Sequence, residues 1–105
     1  MIEIRIAQDF SDTPGGRHRA EGEHSGEEFR DTILKSKLDE AIDNGKKMLI
    51  DLDGCYGFPS SFLDESFGEL AKEYAKSGKD IAEYIELKSD DQPSLINDIK
   101  ELMKG

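Results

Sequence analysis

A segment in the middle of the chain, Lys47 to Asp53, sets the tightest limit on what this sequence can fold into. Met48, Ile50 and Leu52 point one way, and Leu49, Asp51 and Asp53 the other, which is the two-residue period of a strand. Helical patterns flank it. Upstream, Ser25-Gly26-Glu27-Glu28 has the spacing of a capping box. It opens a predicted helix to about Asn44 that turns Ile33, Leu34, Leu38, Ala41 and Ile42 inward, with Asn44-Gly45 as the stop. Downstream, Leu63, Phe67, Leu70 and Tyr74 form a stripe at i, i+4, i+7, i+11, predicting a helix from about Ser61 to Ser77. A strand held between two helices by short connections belongs in a largely parallel sheet.

The ends of the chain extend the pattern. Ile2, Ile4 and Ile6 alternate with Glu3 and Arg5 as a first strand over residues 2–7. Ile81 to Leu87 is a third strand with less regular alternation, and Asp90 to Pro93 turns into a last helix of about Ser94 to Lys104. The expected fold is α/β, a mixed, mainly parallel sheet with helices packed mostly on one face. Residues 1–105 form one domain of a length that buries one modest core. Between Ser11 and His24, Pro14-Gly15-Gly16 marks a turn, which fits either one long loop or a short hairpin.

Charge narrows the function. With 24 acidic against 14 basic side chains the net charge is −10, which repels nucleic acid and anionic membrane surfaces. Proteins with basic patches are the expected partners. Cys55 is the single cysteine, so no internal disulfide forms and a reducing compartment is expected. The alternating start is unlike a signal peptide, and no apolar run approaches the ~20 residues of a membrane span. A cytoplasmic location is the expectation.

The run from Met48 to Leu63, with Asp51-Leu52-Asp53-Gly54 and Ser60-Ser61, resembles the centre of a STAS domain. Gly26-Glu27-Glu28-Phe29-Arg30 and Ser61-Phe62-Leu63-Asp64-Glu65-Ser66-Phe67-Gly68 are similar to the paired helix starts of an uncharacterised STAS-like branch. That resemblance implies a STAS-like sheet covered by helices and a regulatory role like that of anti-sigma-factor antagonists. It implies as partner a GHKL-type ATPase that doubles as a serine kinase, with Ser61 as phosphate acceptor and Ser60 beside it. Two positions depart from the pattern. Pro59 stands where the motif has Asp, and Phe62 where it has Gly, placing a bulky ring directly after the acceptor.

Each candidate also has a plain structural reading. Ser61 with Asp64 three residues on is another capping box. Ser61, Glu65, Gly68 and Lys72 share one helical face beside the core stripe. Together with Asp64 they form either a partner-binding strip, with Gly68 as a flat spot, or a packing surface against the chain's own loop. An unmodified interaction or dimerisation scaffold, including a homodimer, needs only that strip. Asp51 and Asp53 after an apolar strand resemble the first motif of haloacid-dehalogenase-type phosphotransferases, with Ser60, Lys79, Asp90 and Asp91 available for the other roles. A small magnesium-dependent phosphatase is therefore the enzymatic alternative, though the chain is short and a full strand–helix unit precedes the motif. The favoured reading is a domain that is bound rather than one that catalyses, with no cofactor and no metal. His18 and His24 lack ligand spacing and read as solvated loop histidines. Arg17-His18-Arg19 reads as a tethered flexible loop, with contact to an acidic or phosphorylated group as the alternative, and Cys55 as a small buried filler.

Overall fold

The computed structural model describes residues 2–104. Three strands, β1 (Ile2–Arg5), β2 (Met48–Asp51) and β3 (Ile85–Lys88), lie in the order β1-β2-β3 with both pairings parallel. The register sets Ile2, Met48 and Ile85 in one row and Ile4, Ile50 and Leu87 in the next. Met48, Ile50, Ile4 and Ile85 are buried, so these two rows face the core. The other face carries Glu3, Leu49 and Glu86, then Arg5, Asp51 and Lys88. Right-handed crossovers between neighbouring parallel strands put both connecting helices on one side, which matches a sheet with one apolar face. This is the expected α/β architecture.

All three strands are shorter than the alternation predicts: β2 loses Lys47, Leu52 and Asp53, and a helical turn takes over part of the other two. After Arg5 the chain turns into a short helix, Ile6–Asp9, in which the Asp9 carboxylate accepts the Arg5 amide at 2.8 Å. Ile6 is still fully buried, which is why its apolar side chain mimics strand period. Likewise Ile81–Glu83 is a 3₁₀ turn capped by Asp80, whose carboxylate accepts from the Ala82 amide at 3.0 Å. The irregular alternation of that segment records two elements in succession.

Two long helices cross over the core face. The first runs over residues 26–43 as Gly26–Phe29, a π turn Arg30–Leu34, and Lys35–Asp43. Ser25 caps it as predicted, its hydroxyl accepting from the Glu28 amide at 3.1 Å. The second runs over residues 60–75 as Ser60–Leu63, a π turn Asp64–Gly68, and Glu69–Ala75. Each π turn contains a hydroxyl that bonds back to the preceding turn: Thr32 to the Glu28 carbonyl at 2.7 Å and Ser66 to the Phe62 carbonyl at 2.7 Å. Such back-bonding competes with the regular ladder, and an inserted residue widens the face a helix presents. The last helix, Ser94–Lys104, buries Leu95, Ile99 and Met103.

The phenylalanines gather where the two long helices meet. Phe29 stacks on Phe62 with centroids 5.7 Å apart and touches Phe67 at 6.2 Å, while Phe10 and Phe58 close the cluster from the loops. The helices approach so closely here that a Cβ on Gly26 would lie 2.6 Å from the Phe62 carbonyl oxygen. Alanine at position 26 would gain about 1 kcal/mol of helix propensity but drive a methyl into backbone. The clash dominates. Gly26→Ala is expected to lower stability by about 1–3 kcal/mol in urea unfolding. Gly57→Ala, whose new methyl meets nothing within 4 Å, should be near neutral. Equal midpoints for the two variants would show that the crossing is looser than described.

Candidate functional site

The corner between β2 and the second long helix is built by polar anchors rather than by apolar packing. Asp53 accepts from the backbone amides of Asp90 and Asp91, both at 2.8 Å, and from the Lys88 ammonium at 2.8 Å. These donors, the Asp91 amide first and Lys88 next, hold its carboxyl below the usual carboxylate range. Lys88 is held above its ordinary value by hydrogen bonds to Asp53 and Asp90. Asp51 accepts from the Asp53 amide at 2.9 Å, and Gly54, at φ +91°, donates to Asp91 at 3.1 Å. Asp53 therefore ties the end of β2 to the loop after β3. Among the described residues no group of three or more His, Cys, Asp or Glu is arranged to hold a metal ion.

From this anchor the chain runs outward. The Tyr56 amide donates to the Asp12 carbonyl at 2.8 Å, yet the Tyr56 side chain is 86% exposed. Phe58 then turns back onto Phe62 at 6.1 Å. A shallow hollow of about 440 Å³ lies between Phe58, Ser60, Leu63, Leu95 and Leu102, with Asp98 and Glu101 on its rim. Cys55 is half-buried with its thiol near the Ser11 carbonyl, and burial pushes that thiol up to about 11, which makes it a poor nucleophile.

The predicted Ser61–Asp64 capping box is not formed. The helix starts one residue earlier, Pro59 occupies the cap with φ −57° and ψ 139°, and no side chain caps the amides. Ser60 is exposed and Ser61 half-buried, both in the first turn. Pro59 supplies the extended geometry that a cap residue needs, so neither hydroxyl is used to start the helix.

The strip assigned to a partner is divided. Lys72 is exposed and pairs with Glu69 at 3.1 Å. Asp64 is half-buried and held by Arg17 at 2.7 Å. Glu65 is 7% exposed and lies inside the fold. Its carboxylate pairs with Arg30, which also donates to the Glu65 carbonyl at 3.0 Å, and Arg17 and His18 stand 3.5 and 3.9 Å away. Gly68 is buried too. A Cβ there would meet the Asp64 carboxylate at 2.9 Å and Leu102 of the last helix at 3.9 Å. Gly68 thus makes room for the chain's own side chains, which is the packing alternative, met by Asp64 and the last helix instead of a loop, and corrects the reading as a flat spot for a partner. The π turn at Asp64–Gly68 is covered from two sides, by Arg30 of the first long helix on Glu65 and by Leu102 of the last helix at Gly68, so more than one face of this stretch is buried.

The segment read as a tethered flexible loop is anchored along its length. Besides Arg17 on Asp64, the Gly26 and Glu27 amides donate to the Gly16 and Arg17 carbonyls at 2.8 and 3.0 Å, and Arg19–Glu21 is a 3₁₀ turn. His24, in the left-handed region at φ 59°, packs edge-on against Phe10 and is half-buried, so it is less solvated than expected. The alternative reading of the Arg17 knot, contact with an acidic group, is the one found, at Asp64, whereas the sequence reading missed Arg30 as the cation that holds Glu65. A long-range charge match between the two helix-start motifs was the available signal.

A family model described as a STAS-like domain of unknown function (DUF4325) matches residues 25–95. No curated protein and no solved structure matches the chain. The matched span begins at the Ser25 cap and covers both helix-start motifs.

Two measurements check this site. Arg30→Met removes the closest partner of the buried Glu65 carboxylate, leaving Arg17 at 3.5 Å and His18 at 3.9 Å, and is expected to cost up to about 3 kcal/mol. The double variant Arg30→Met/Glu65→Met should recover much of that loss, and additive losses would remove the pair from the account. For Asp53, the lowered folded value means its stabilisation is complete above the unfolded carboxylate value of about 3.9 and is lost as pH falls through the lower folded value. Asp53→Asn should therefore unfold more easily than the parent at pH 7, with the gap closing below about pH 4. A gap independent of pH would show that the carboxylate charge is not what anchors the loop.

Proposed function

Because the chain belongs to this family of STAS-like domains, we propose that it is a regulatory protein-interaction domain, bound at the corner before the second long helix and switched by phosphorylation there. The observation that carries this reading is the pair Ser60 and Ser61, one exposed and one half-buried, at the open first turn of the helix with no capping duty. The motif resemblance favours Ser61 as acceptor, while exposure favours Ser60. A GHKL-type ATPase with serine-kinase activity is the partner that the resemblance implies. The exposed Tyr56 ring and the neighbouring acid-rimmed hollow supply a surface beside the serines for such a protein to grip.

The electrostatics suit a surface switch that leaves the fold intact. A phosphate on the first turn gains from unpaired amides and the helix dipole. Asp64 would oppose it, but its charge is already engaged by Arg17. Glu65, buried against Arg30, is turned away from solvent. The added charge would therefore act on whatever docks at the corner. Asp53 supports the same reading over the phosphatase alternative, since its carboxylate is committed to two amides and Lys88.

The test is peptide-mapping mass spectrometry after incubation with ATP, magnesium and the GHKL-type ATPase recovered with the protein from native lysate. One phosphate is expected on Ser60 or Ser61, and none on the Ser60→Ala/Ser61→Ala variant. A phosphate retained by that variant would overturn the assignment. An ATPase that binds the parent and the double variant alike, and transfers nothing, would leave the unmodified scaffold as the correct reading.

A further inference from the structure

The far end of the second long helix carries a feature that the corner does not explain. Ala71, Ala75, Ile81 and Met103 floor a groove of about 570 Å³ between that helix, the Ile81–Glu83 turn and the last helix. Lys79, Lys100 and Lys104 stand around it, all exposed. This is a local reversal of sign on a chain whose net charge is −10. Elsewhere the cations are mostly matched, as with Lys35 on Glu73, Lys47 on Glu86, Lys88 on Asp53 and Arg17 on Asp64. Among the described residues, Lys79 and Lys100 pair with no carboxylate, and Lys104 has only the exposed Glu101 at 3.0 Å. The one acid at the groove, Asp80, is turned to the Ala82 amide as a cap.

We propose that this groove docks an acidic amphipathic helix of a partner protein. Alanines along the floor let another backbone approach closely, and an apolar trough between two helices suits the apolar face of a third. Exposed lysines at its edges match carboxylates flanking that face at contact distance. A second copy of this chain would bring ten further net negative charges against a surface that already carries ten, a far larger repulsion than one acidic helix meets.

The experiment is an amide-shift titration of the intact protein with a synthetic helical peptide bearing leucines on one face and glutamates on its flanks. Shifts should centre on Ala71, Ala75, Ile81 and Met103, weaken with added salt, and require at least tenfold more peptide in Lys79→Glu/Lys100→Glu. That variant's spectrum must otherwise overlay the parent's, as expected for two exposed side chains. The proposal is overturned if the peptide causes no shifts, if they centre elsewhere, or if a scrambled peptide of equal composition or the double variant binds as well. Shifts at the same residues on raising the protein concentration alone, or with anionic vesicles but not peptide, would assign the groove to self-association or to lipid and also defeat it.

Discussion

The contact between the Gly26 backbone and the Phe62 carbonyl governs how the rest of the molecule is arranged. With a Cβ excluded at position 26, the first turns of the two long helices lie against each other and Phe29 reaches the faces of Phe62 and Phe67. That crossing closes the core over β2 and fixes where the second helix begins. The position of Ser60 and Ser61 at the surface follows from it. So does the outward path of the Tyr56 loop, because Phe58 must return to Phe62.

A crossing this close brings charge into the interior, and the two π turns accommodate it. Arg30 opens one π turn, Glu65 sits in the other, and the guanidinium satisfies both the carboxylate and the Glu65 carbonyl. Removing either partner leaves a buried charge, which is costlier than never having had the pair. The two motifs that carry the family resemblance, Gly26 to Arg30 and Ser61 to Gly68, are thus one packing unit seen from its two sides. Most of what they encode is how the helices cross. Within them Glu27, Glu28, Arg30, Ser61 and Asp64 are half-buried, and Ser60, just before the second motif, is exposed.

Much of the fold was legible because the strand period of Met48 to Leu52 and the Ser25 cap are local signals, and each specifies its element without help from elsewhere. The third strand was misplaced by a few residues because Ile81 is buried from a 3₁₀ turn just as it would be from a strand. The candidate site was less legible. A helical wheel assumes 3.6 residues per turn, and the π turn at Asp64–Gly68 breaks that assumption at the positions assigned to a partner. Ser66 and Thr32, hydroxyls inside helical patterns, were the available hints. Glu65 read as surface because its partner Arg30 lies 35 positions earlier, and one-dimensional periodicity carries no information about such pairs. Pro59 made the cap redundant, which no count of serine spacing reveals.

The second long helix spans about 24 Å and joins two surfaces of opposite character. At its start stand two hydroxyls, an exposed tyrosine and an acid-rimmed hollow. Near its end lies an apolar groove edged by lysines. The last helix contributes to both, offering Leu95, Asp98, Glu101 and Leu102 to the first and Lys100, Met103 and Lys104 to the second. Sequence period explains how one short helix does this, since Asp98 and Glu101 fall three apart on one flank, and Lys100 and Lys104 four apart on another. Charge added at the serine end would be screened over the length of the helix by physiological salt. Direct electrostatic coupling between the two surfaces is therefore weak, and their physical link is the pair of helices they share, packed together where Leu102 meets Gly68.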